Sequence, residues 1–122
     1  MNKSLVPLIG LSAAVSLLVG CGGVSELTKE RVARSETAVQ SATQTIGNAE
    51  TGAVELQRAK ESLAKAQAAL KAENEKDAER YAQHAQLSAE LAVAKSQSGA
   101  ARKAADEVLA SIETLRREAA RP

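Results

Sequence analysis

The sequence predicts an all-α protein, in which the helices form an elongated antiparallel hairpin or three-helix, coiled-coil-like arrangement after a cleaved signal peptide. Two observations lead to this prediction. Ala supplies about a quarter of the residues after position 20, and Glu, Lys, Arg and Gln supply many of the others; all five residue types favour helices. No Gly lies between Gly52 and Gly99, and the only Pro residues are Pro7 and Pro122, so few residues interrupt a long helix.

The first twenty residues have the pattern of a signal peptide. Lys3 supplies positive charge, and an apolar run of about fifteen residues extends from Leu5 to Val19. A helix that crosses a membrane needs about twenty apolar residues, so the run fits a removable signal better than a permanent span. We therefore predict that residues 1–20 are removed from the mature protein.

The apolar run ends in four residues that resemble the lipobox of bacterial lipoproteins: Leu18, Val19, Gly20 and Cys21. In that family a diacylglycerol is attached to the Cys sulfur, a peptidase cuts before the Cys, and the new amino group is acylated. The resemblance implies cleavage between Gly20 and Cys21, lipidation of Cys21, and a short tether over residues 21–24. An ordinary signal peptide and a buried apolar helix are the alternatives.

The residues around Cys21 also indicate a location. Cys21 is the only Cys, so no intrachain disulfide is expected, and its covalent lipid is the only bound group that we predict. Several acyl chains attach a protein stably to a membrane, so membrane lipid is the first expected partner. Gly22 stands where lipoproteins that enteric bacteria keep at the inner membrane carry Asp. The resemblance therefore implies the bacterial cell envelope, at the inner leaflet of the outer membrane, facing the periplasm.

Residues 25–122 are predicted to form one Ala-rich helical domain, with helices at about 25–47, 53–73 and 76–119. In the first helix, apolar or small residues recur at steps of three and four and mark one face: Val32, Ser35, Val39, Ala42 and Ile46. The stretch GNAETG (47–52) predicts a turn. Because the same steps nearly continue through it, one long helix with a local break over 25–73 is the alternative.

The second helix has a face of the same kind, formed by Leu56, Ala59, Leu63, Ala66 and Leu70. It is expected to end at ENEK (73–76). Asn74 tolerates the left-handed conformation that often ends a helix, so we predict it in that role. Glu75 or Asp77 is then expected to cap the helix that follows.

The third helix carries two rows of small or apolar residues. The alanine seam consists of Ala78, Ala82, Ala85, Ala89 and Ala92. The leucine seam consists of Leu87, Leu91, Ala94, Ser98, Ala101, Ala105, Val108, Ile112 and Leu115. We expect the two seams on adjacent faces, the first against the second helix and the second against the first helix or another chain. The large members of the leucine seam are the predicted interaction residues: Leu87, Leu91, Val108, Ile112 and Leu115.

A longer pattern covers residues 55–95, ELQRAKESLAKAQAALKAENEKDAERYAQHAQLSAELAVAK. It is a Leu/Ala helix, a short polar turn and an Ala-stepped helix with an early Tyr, here Tyr81. Together with the lipobox it resembles the family of small bacterial lipoproteins described as domain of unknown function 4398. In that family the turn often carries Gly-Asp, whereas this chain has Asn74 and Glu75. The resemblance implies a helical envelope protein and assigns no activity.

No residue pattern in the sequence predicts catalysis or a metal site, so we expect a protein that is not an enzyme. His84 is the only His and is expected on a solvated face. Four carboxylates lie near the turn, but Lys71, Lys76 and Arg80 are interspersed with them, which favours a mutually paired surface: Glu73, Glu75, Asp77 and Glu79. The GNAETGA stretch lacks the Lys of a phosphate loop, because Ala53 stands there.

Charge and composition restrict the expected partners. Without Lys3, 15 basic and 15 acidic side chains remain of the 16 and 15 in the whole chain. This balance, with one Tyr and no Trp or Phe, favours neither nucleic acid nor a stacked ligand, and no small-molecule substrate is expected. A core that is rich in Ala buries little apolar area, so we expect self-association or another envelope protein to add stability.

Two functions follow as hypotheses. The first is a non-catalytic interaction or scaffold module, anchored to the outer membrane and facing the periplasm. The alternative is an oligomeric coiled-coil spacer that resembles the murein lipoproteins. Those proteins can be joined to peptidoglycan through a terminal Lys, whereas this chain ends in EAARP, so covalent attachment is not expected.

Overall fold

The structure, a computed structural model, describes residues 23–122. The predictions for the signal peptide, the lipobox and Cys21 lie outside the described residues. Within them the chain forms three α-helices and no strand: α1 (Glu26–Ile46), α2 (Ala53–Lys71) and α3 (Glu75–Ala119). The predicted all-α fold is confirmed. None of these helices has a stretch that is both long and apolar enough to cross a membrane.

The helices run up, down and up, and α3 packs on both of the others. Thr28 near the start of α1 donates a hydrogen bond to Glu75 at the start of α3, so α1 and α3 run in the same direction. Gly52, just before α2, lies against Ala92 in the middle of α3. α2 therefore runs antiparallel to both neighbours, and the predicted three-helix arrangement is confirmed.

The first helix begins and ends at residues with matching cap chemistry. Ser25 is the N-cap residue, and its hydroxyl accepts a hydrogen bond from the Thr28 backbone N–H at 3.3 Å. This satisfies one of the N–H groups that a helix start leaves without a partner. At the other end, Gly47 has φ 53° and donates to the Thr43 carbonyl at 3.1 Å. α1 and α2 are thus separate helices.

The turn between α2 and α3 corrects two sequence predictions, the left-handed residue and the cap of α3. Asn74 was expected to adopt the left-handed conformation, but that residue is Glu73, with φ 54°. The Glu73 N–H donates to the Leu70 carbonyl and the Asn74 N–H to the Ala69 carbonyl, which is a Schellman ending. Asn74 instead caps α3, because its side chain accepts a hydrogen bond from the Asp77 N–H at 3.2 Å. The expectation that Glu75 or Asp77 is the cap is therefore wrong.

The core lies between the three helices and consists of two clusters. The larger contains Val39, Ala42, Ile46, Leu56, Ala59, Ala85, Ala89 and Ala92. The smaller, nearer the α2–α3 turn, contains Val32, Ala66, Ala78 and Ala82. The whole alanine seam is buried in these clusters. It therefore faces α1 as well as the α2 partner that we predicted, because one narrow row of methyl groups lets two helices approach α3 together.

The third helix is much longer than the bundle. Residues 75–99 of α3 carry all of its buried positions, whereas every residue from 100 to 122 is exposed. At 1.5 Å per residue, the helical part beyond residue 99 extends about 30 Å past the other helices. The bundle is therefore a compact head, and residues 100–119 are a projecting helix.

Candidate interaction surface on the third helix

The large residues of the leucine seam are exposed. Between 44% and 64% of the surface of each is accessible: Leu87, Leu91, Val108, Ile112 and Leu115. Leu87 and Leu91 lie on the bundle, and the other three lie on the projecting helix. The seam therefore forms a stripe from the head to the projection, with large apolar residues towards both ends and three Ala residues and Ser98 between Leu91 and Val108.

The position of the stripe overturns two predictions. Leu87 and Ala89 are two residues apart, which is about 200° around an α-helix, so the seams lie on opposite faces and not on adjacent ones. Because the alanine seam already faces both α1 and α2, the large residues of the leucine seam point away from α1, although Ala94 lines a groove between α1 and α3. The expectation that the leucine seam packs on α1 is wrong, and the other expectation, another chain, stays a prediction.

The projecting helix is amphipathic over its whole length. Its apolar side includes Leu109, which is 64% exposed and which the sequence analysis missed. Leu109 follows Val108 directly, so it falls between the heptad steps that define the seam. The sequence does contain a sign of it: Leu109 lies four residues after Ala105 and three before Ile112, and residues at these spacings are neighbours on a helix surface. An exposed pair on another side of the helix, Glu113 and Arg117, is joined at 3.4 Å.

The residues that the sequence analysis considered for metal binding are either exposed or paired with other side chains. His84 is exposed on α3, and Glu73 is exposed in the turn. Among residues 23–122, no group of three or more His, Cys, Asp or Glu side chains is arranged to hold a metal ion. Asp77 instead accepts a hydrogen bond from Arg80 at 2.9 Å, and Glu79 pairs with Arg31 on α1.

Glu75 joins the starts of α1 and α3. The hydroxyl groups of Ser25 and Thr28 both donate to its carboxylate. These hydrogen bonds, that of Ser25 first, lower the pKa of Glu75 below its ordinary value, because they stabilise the ionised form. Glu75, one of the two residues that the sequence suggested as the cap of α3, is not the cap, which is Asn74; it instead holds the beginning of α1 against the α2–α3 turn.

Glu55 joins the other end of the bundle and was not singled out from the sequence. Its carboxylate is buried, and Lys95 on α3 donates to it at 2.5 Å. The hydrogen bond from Lys95, followed by one from the backbone, lowers the pKa of Glu55. The two residues are forty positions apart in the chain, so no local spacing indicates that they meet.

Tyr81, the early Tyr of the 55–95 pattern, lies between two cations. The Arg80 guanidinium is 4.4 Å and the Lys65 ammonium 5.8 Å from the centre of its ring, which are cation–π distances. The half-buried ring also packs on the smaller core cluster. Tyr81 therefore joins α2 to α3 and has a structural role.

The spaces between helices are shallow grooves. The more apolar of two between α1 and α3 has a volume of about 320 Å³ and is lined mainly by small side chains, with Glu90 and Gln97 at its edge. The other, of about 250 Å³, is lined by the Arg31–Glu79 pair and neighbouring polar residues. Neither groove brings together a nucleophile and a base. The leucine seam remains the surface with the clearest capacity to bind.

Comparison with known proteins gives one match. The sequence profile of a protein family described as domain of unknown function, DUF4398, matches residues 30–108. The match covers more than half of the chain and extends from α1 into the projecting helix, so it includes Leu87, Leu91 and Val108. No curated protein and no solved structure matches the chain.

Proposed function

This chain belongs to the DUF4398 family, a domain of unknown function, and we propose that it is a non-catalytic interaction or scaffold module of the bacterial cell envelope. In this proposal a lipid on Cys21 anchors it to the inner leaflet of the outer membrane, and the helical domain faces the periplasm. The leucine seam is the surface that binds a protein partner in the envelope, either another envelope protein or a second copy of this chain. The observation that carries the proposal is the exposure of that seam on the face opposite the core.

Soluble monomers seldom expose a long contiguous apolar surface unless it binds something. From Leu87 to Leu115 the seam is about 42 Å long at 1.5 Å per residue. Its large residues lie at both ends, and the small ones between them let a partner helix approach closely. This is the form of a surface that receives another helix.

The direction of the helices fits an anchor at the N-terminus. Ser25 lies beside Glu75, so the start of α1 and the α2–α3 turn are at the same end of the bundle. The projecting helix leaves from the opposite end. A lipid on Cys21, four residues before Ser25, would therefore hold the head near the membrane and direct the projecting helix away from it, towards the periplasm.

Metabolic labelling tests the anchor. The full chain should incorporate labelled palmitate in cells, and Cys21→Ser should abolish the label and leave an uncut precursor. A matched change in the tether, Gly23→Ser, should keep the label. Labelling that survives Cys21→Ser, or a protein that fractionates away from the outer membrane, would contradict this part of the proposal.

Cross-linking in cells tests the surface. A photoreactive amino acid at Leu91 or Ile112 should capture one discrete product, whereas the same group at Thr114, two residues from Ile112 and about 200° around the helix, should not. Equal capture from both faces would show that the seam is not the binding surface.

The coiled-coil spacer is the second candidate, and the uninterrupted length of α3 favours it. The 45 residues of α3 are about 68 Å long. Insertion of two heptads after residue 103 would keep the pattern of the seam and lengthen α3 by about 21 Å. A spacer should then change the distance between outer membrane and cell wall in electron cryotomograms, whereas a binding module should not.

A further inference from the structure

The projecting helix lacks the contacts that normally stabilise a helix. Within the described residues, 100–119 are exposed on every side, and every buried position of α3 lies between Ala78 and Ala92. In proteins most of the stability of a helix comes from tertiary packing of its amphipathic face, and residues 100–119 have no such packing within the described part of this chain. A partner that packs on the apolar side of the projecting helix would therefore supply the tertiary contacts that this helix lacks.

The leucine seam has the periodicity of a coiled coil. Its nine residues from Leu87 to Leu115 follow steps of four and three without interruption, over four heptads, and the register does not change at Gly99. Four heptads are enough to indicate a coiled coil. The a positions are Leu91, Ser98, Ala105 and Ile112, and the d positions are Leu87, Ala94, Ala101, Val108 and Leu115.

The seam also has a defined beginning. The two heptad positions before Leu87 are occupied by His84 and Arg80, and both are exposed. The apolar stripe therefore starts in the middle of the bundle and continues towards the tip of the projecting helix. A partner would run along both parts of α3 and would not be confined to the projection.

We propose that the partner of the leucine seam is a second copy of this chain, and that the two α3 helices form a parallel, in-register, two-stranded coiled coil. The proposal deepens the proposed function, because it names the partner of the same surface. It rests on that function only in one respect, that both copies are held at one membrane by their N-terminal ends, which requires them to be parallel.

The charges beside the seam favour the parallel orientation. In a parallel pair, a g residue faces the e residue of the next heptad on the other helix, so Glu90 of each copy faces Lys95 of the other. In the antiparallel pair with the greatest overlap, Leu87 faces Ile112, and Lys95 then lies beside Arg102 of the other copy. The parallel pair thus gains opposite charges where the antiparallel pair places like charges.

The position of Lys95 in the fold allows it to pair with Glu90 of the other copy. Its ammonium group already contacts Glu55 of α2 at 2.5 Å, and half of its side chain remains exposed. In the parallel pair it would lie between Glu55 of its own chain and Glu90 of the other copy. The coiled coil would then be joined to the bundle through one cation.

The residues inside the seam favour two strands. Ile112 occupies an a position and Leu115 the following d position, which is the combination that favours parallel dimers. Ala94, Ser98, Ala101 and Ala105 form four consecutive small layers. They allow two backbones to approach closely, whereas a third helix would leave space unfilled around the axis.

Sedimentation equilibrium tests the assembly. Residues 23–122 contain every residue of both core clusters, so this segment is the one to measure. It should be a reversible dimer. Ile112→Glu should raise its dissociation constant at least tenfold, and Thr114→Glu, on the opposite face, should change it less than twofold. A monomer at all concentrations, or a trimer, would overturn the proposal.

Disulfide formation tests the orientation, since the segment contains no Cys of its own. Val108→Cys should give a cross-linked dimer on mild oxidation, and Ala110→Cys, two residues further on and about 200° around the helix, should not. In the antiparallel pair the two Val108 positions would be about 25 Å apart and could not join. A dimer by sedimentation without this cross-link would overturn the parallel arrangement.

The two proposals fail separately. Loss of the dimer in the purified segment, with palmitate still attached to Cys21 in cells, would overturn the coiled coil and leave the anchored module. A dimer in the purified segment without acylation in cells would overturn the anchor and leave the pairing of α3.

Discussion

At the scale of single residues, two positions in the turns carry conformations that most side chains avoid. Gly52 has φ 92°, and a Cβ atom there would collide with the carbonyl group of Ala92. Glu73 has φ 54°, although left-handed backbone is unfavourable for residues with a Cβ. The turn between α1 and α2 thus has a Gly at its positive-φ position, as its geometry requires, whereas the turn between α2 and α3 has Glu73 there.

Glu73→Gly should stabilise the protein by about 0.5–1 kcal/mol. Relief of the left-handed strain is worth about 1–2 kcal/mol, and the greater freedom of Gly in the unfolded chain removes part of it. Urea unfolding followed by circular dichroism measures the change. Ala72→Gly, at φ −83°, is the control and should destabilise, since no strain is relieved there. A loss of stability in Glu73→Gly would contradict the Schellman ending.

Gly52→Ala should destabilise the protein by about 2–4 kcal/mol, because backbone strain of about 1–3 kcal/mol adds to the collision with Ala92. Gly47→Ala separates the two effects. Gly47 also has a positive φ, of 53°, but nothing lies within 4 Å of a Cβ placed there, so it carries strain alone. Equal losses in the two variants would show that the Ala92 contact is unimportant.

At the scale of elements, α3 consists of two halves with different partners. The half in the bundle contributes the alanine seam to the core, and the projecting half contributes no buried residue. The same helix can do both because the two seams lie on opposite faces. Small residues face the crowded side, where two helices meet α3, and the large apolar residues face outwards.

Removal of residues 101–122 should leave the bundle folded. At concentrations where the protein is monomeric, the free energy of unfolding should change by less than about 0.5 kcal/mol, as for surface changes that touch no buried group. Thermal unfolding monitored by circular dichroism tests this, with a smaller helical signal as the internal control. A melting temperature much below that of residues 23–122 would show that the projecting helix supports the head.

At the scale of the whole molecule, two carboxylates far apart in the bundle join α3 to its neighbours. Glu75 accepts hydrogen bonds from α1 at one end, and Glu55 accepts one from Lys95 at the other. In the folded protein the pKa of each is lowered. Together they hold the three helices in one arrangement at neutral pH.

Acid should therefore weaken the fold. A carboxylate whose folded pKa is lowered adds stability at pH values above its unfolded pKa, near 4.5, and this stability is lost as the pH falls through the folded value. The free energy of unfolding should be constant from pH 7 to 5 and fall below pH 4.5. Urea titrations at each pH measure it.

Glu55→Gln provides the corresponding variant. It should lower the free energy of unfolding at pH 7, because Lys95 loses its charged partner. The further decrease of that free energy in acid should be smaller than in the parent, because Lys95 has no charged partner at any pH. Glu118→Gln, on the projecting helix, is the control and should reproduce the parent curve. Parallel curves for the parent and Glu55→Gln would show that the Lys95 contact does not respond to protonation.

The helical class, the helical faces and most of the core residues could be predicted from local patterns in the sequence. Abundant helix formers and the steps of three and four at Val32, Val39 and Ile46 are local properties, and all three of these residues are buried. The match over residues 30–108 likewise depends on sequence alone. The leucine seam was visible as a pattern; of its two expected partners, α1 is wrong because Leu87 and Leu91 are exposed, and another chain stays a prediction.

Two features depend on how the helices pack in three dimensions: which face of α3 meets α1 and α2, and which residues join distant elements. Glu55 and Lys95 meet because α2 turns back along α3, and no periodicity records such a contact. The left-handed residue at the second turn is Glu73 and not Asn74, because the closing hydrogen bonds of α2 and the cap of α3 must both be satisfied within four residues. The apolar stripe faces outwards because the narrow alanine seam allows two helices to pack closely on the opposite face.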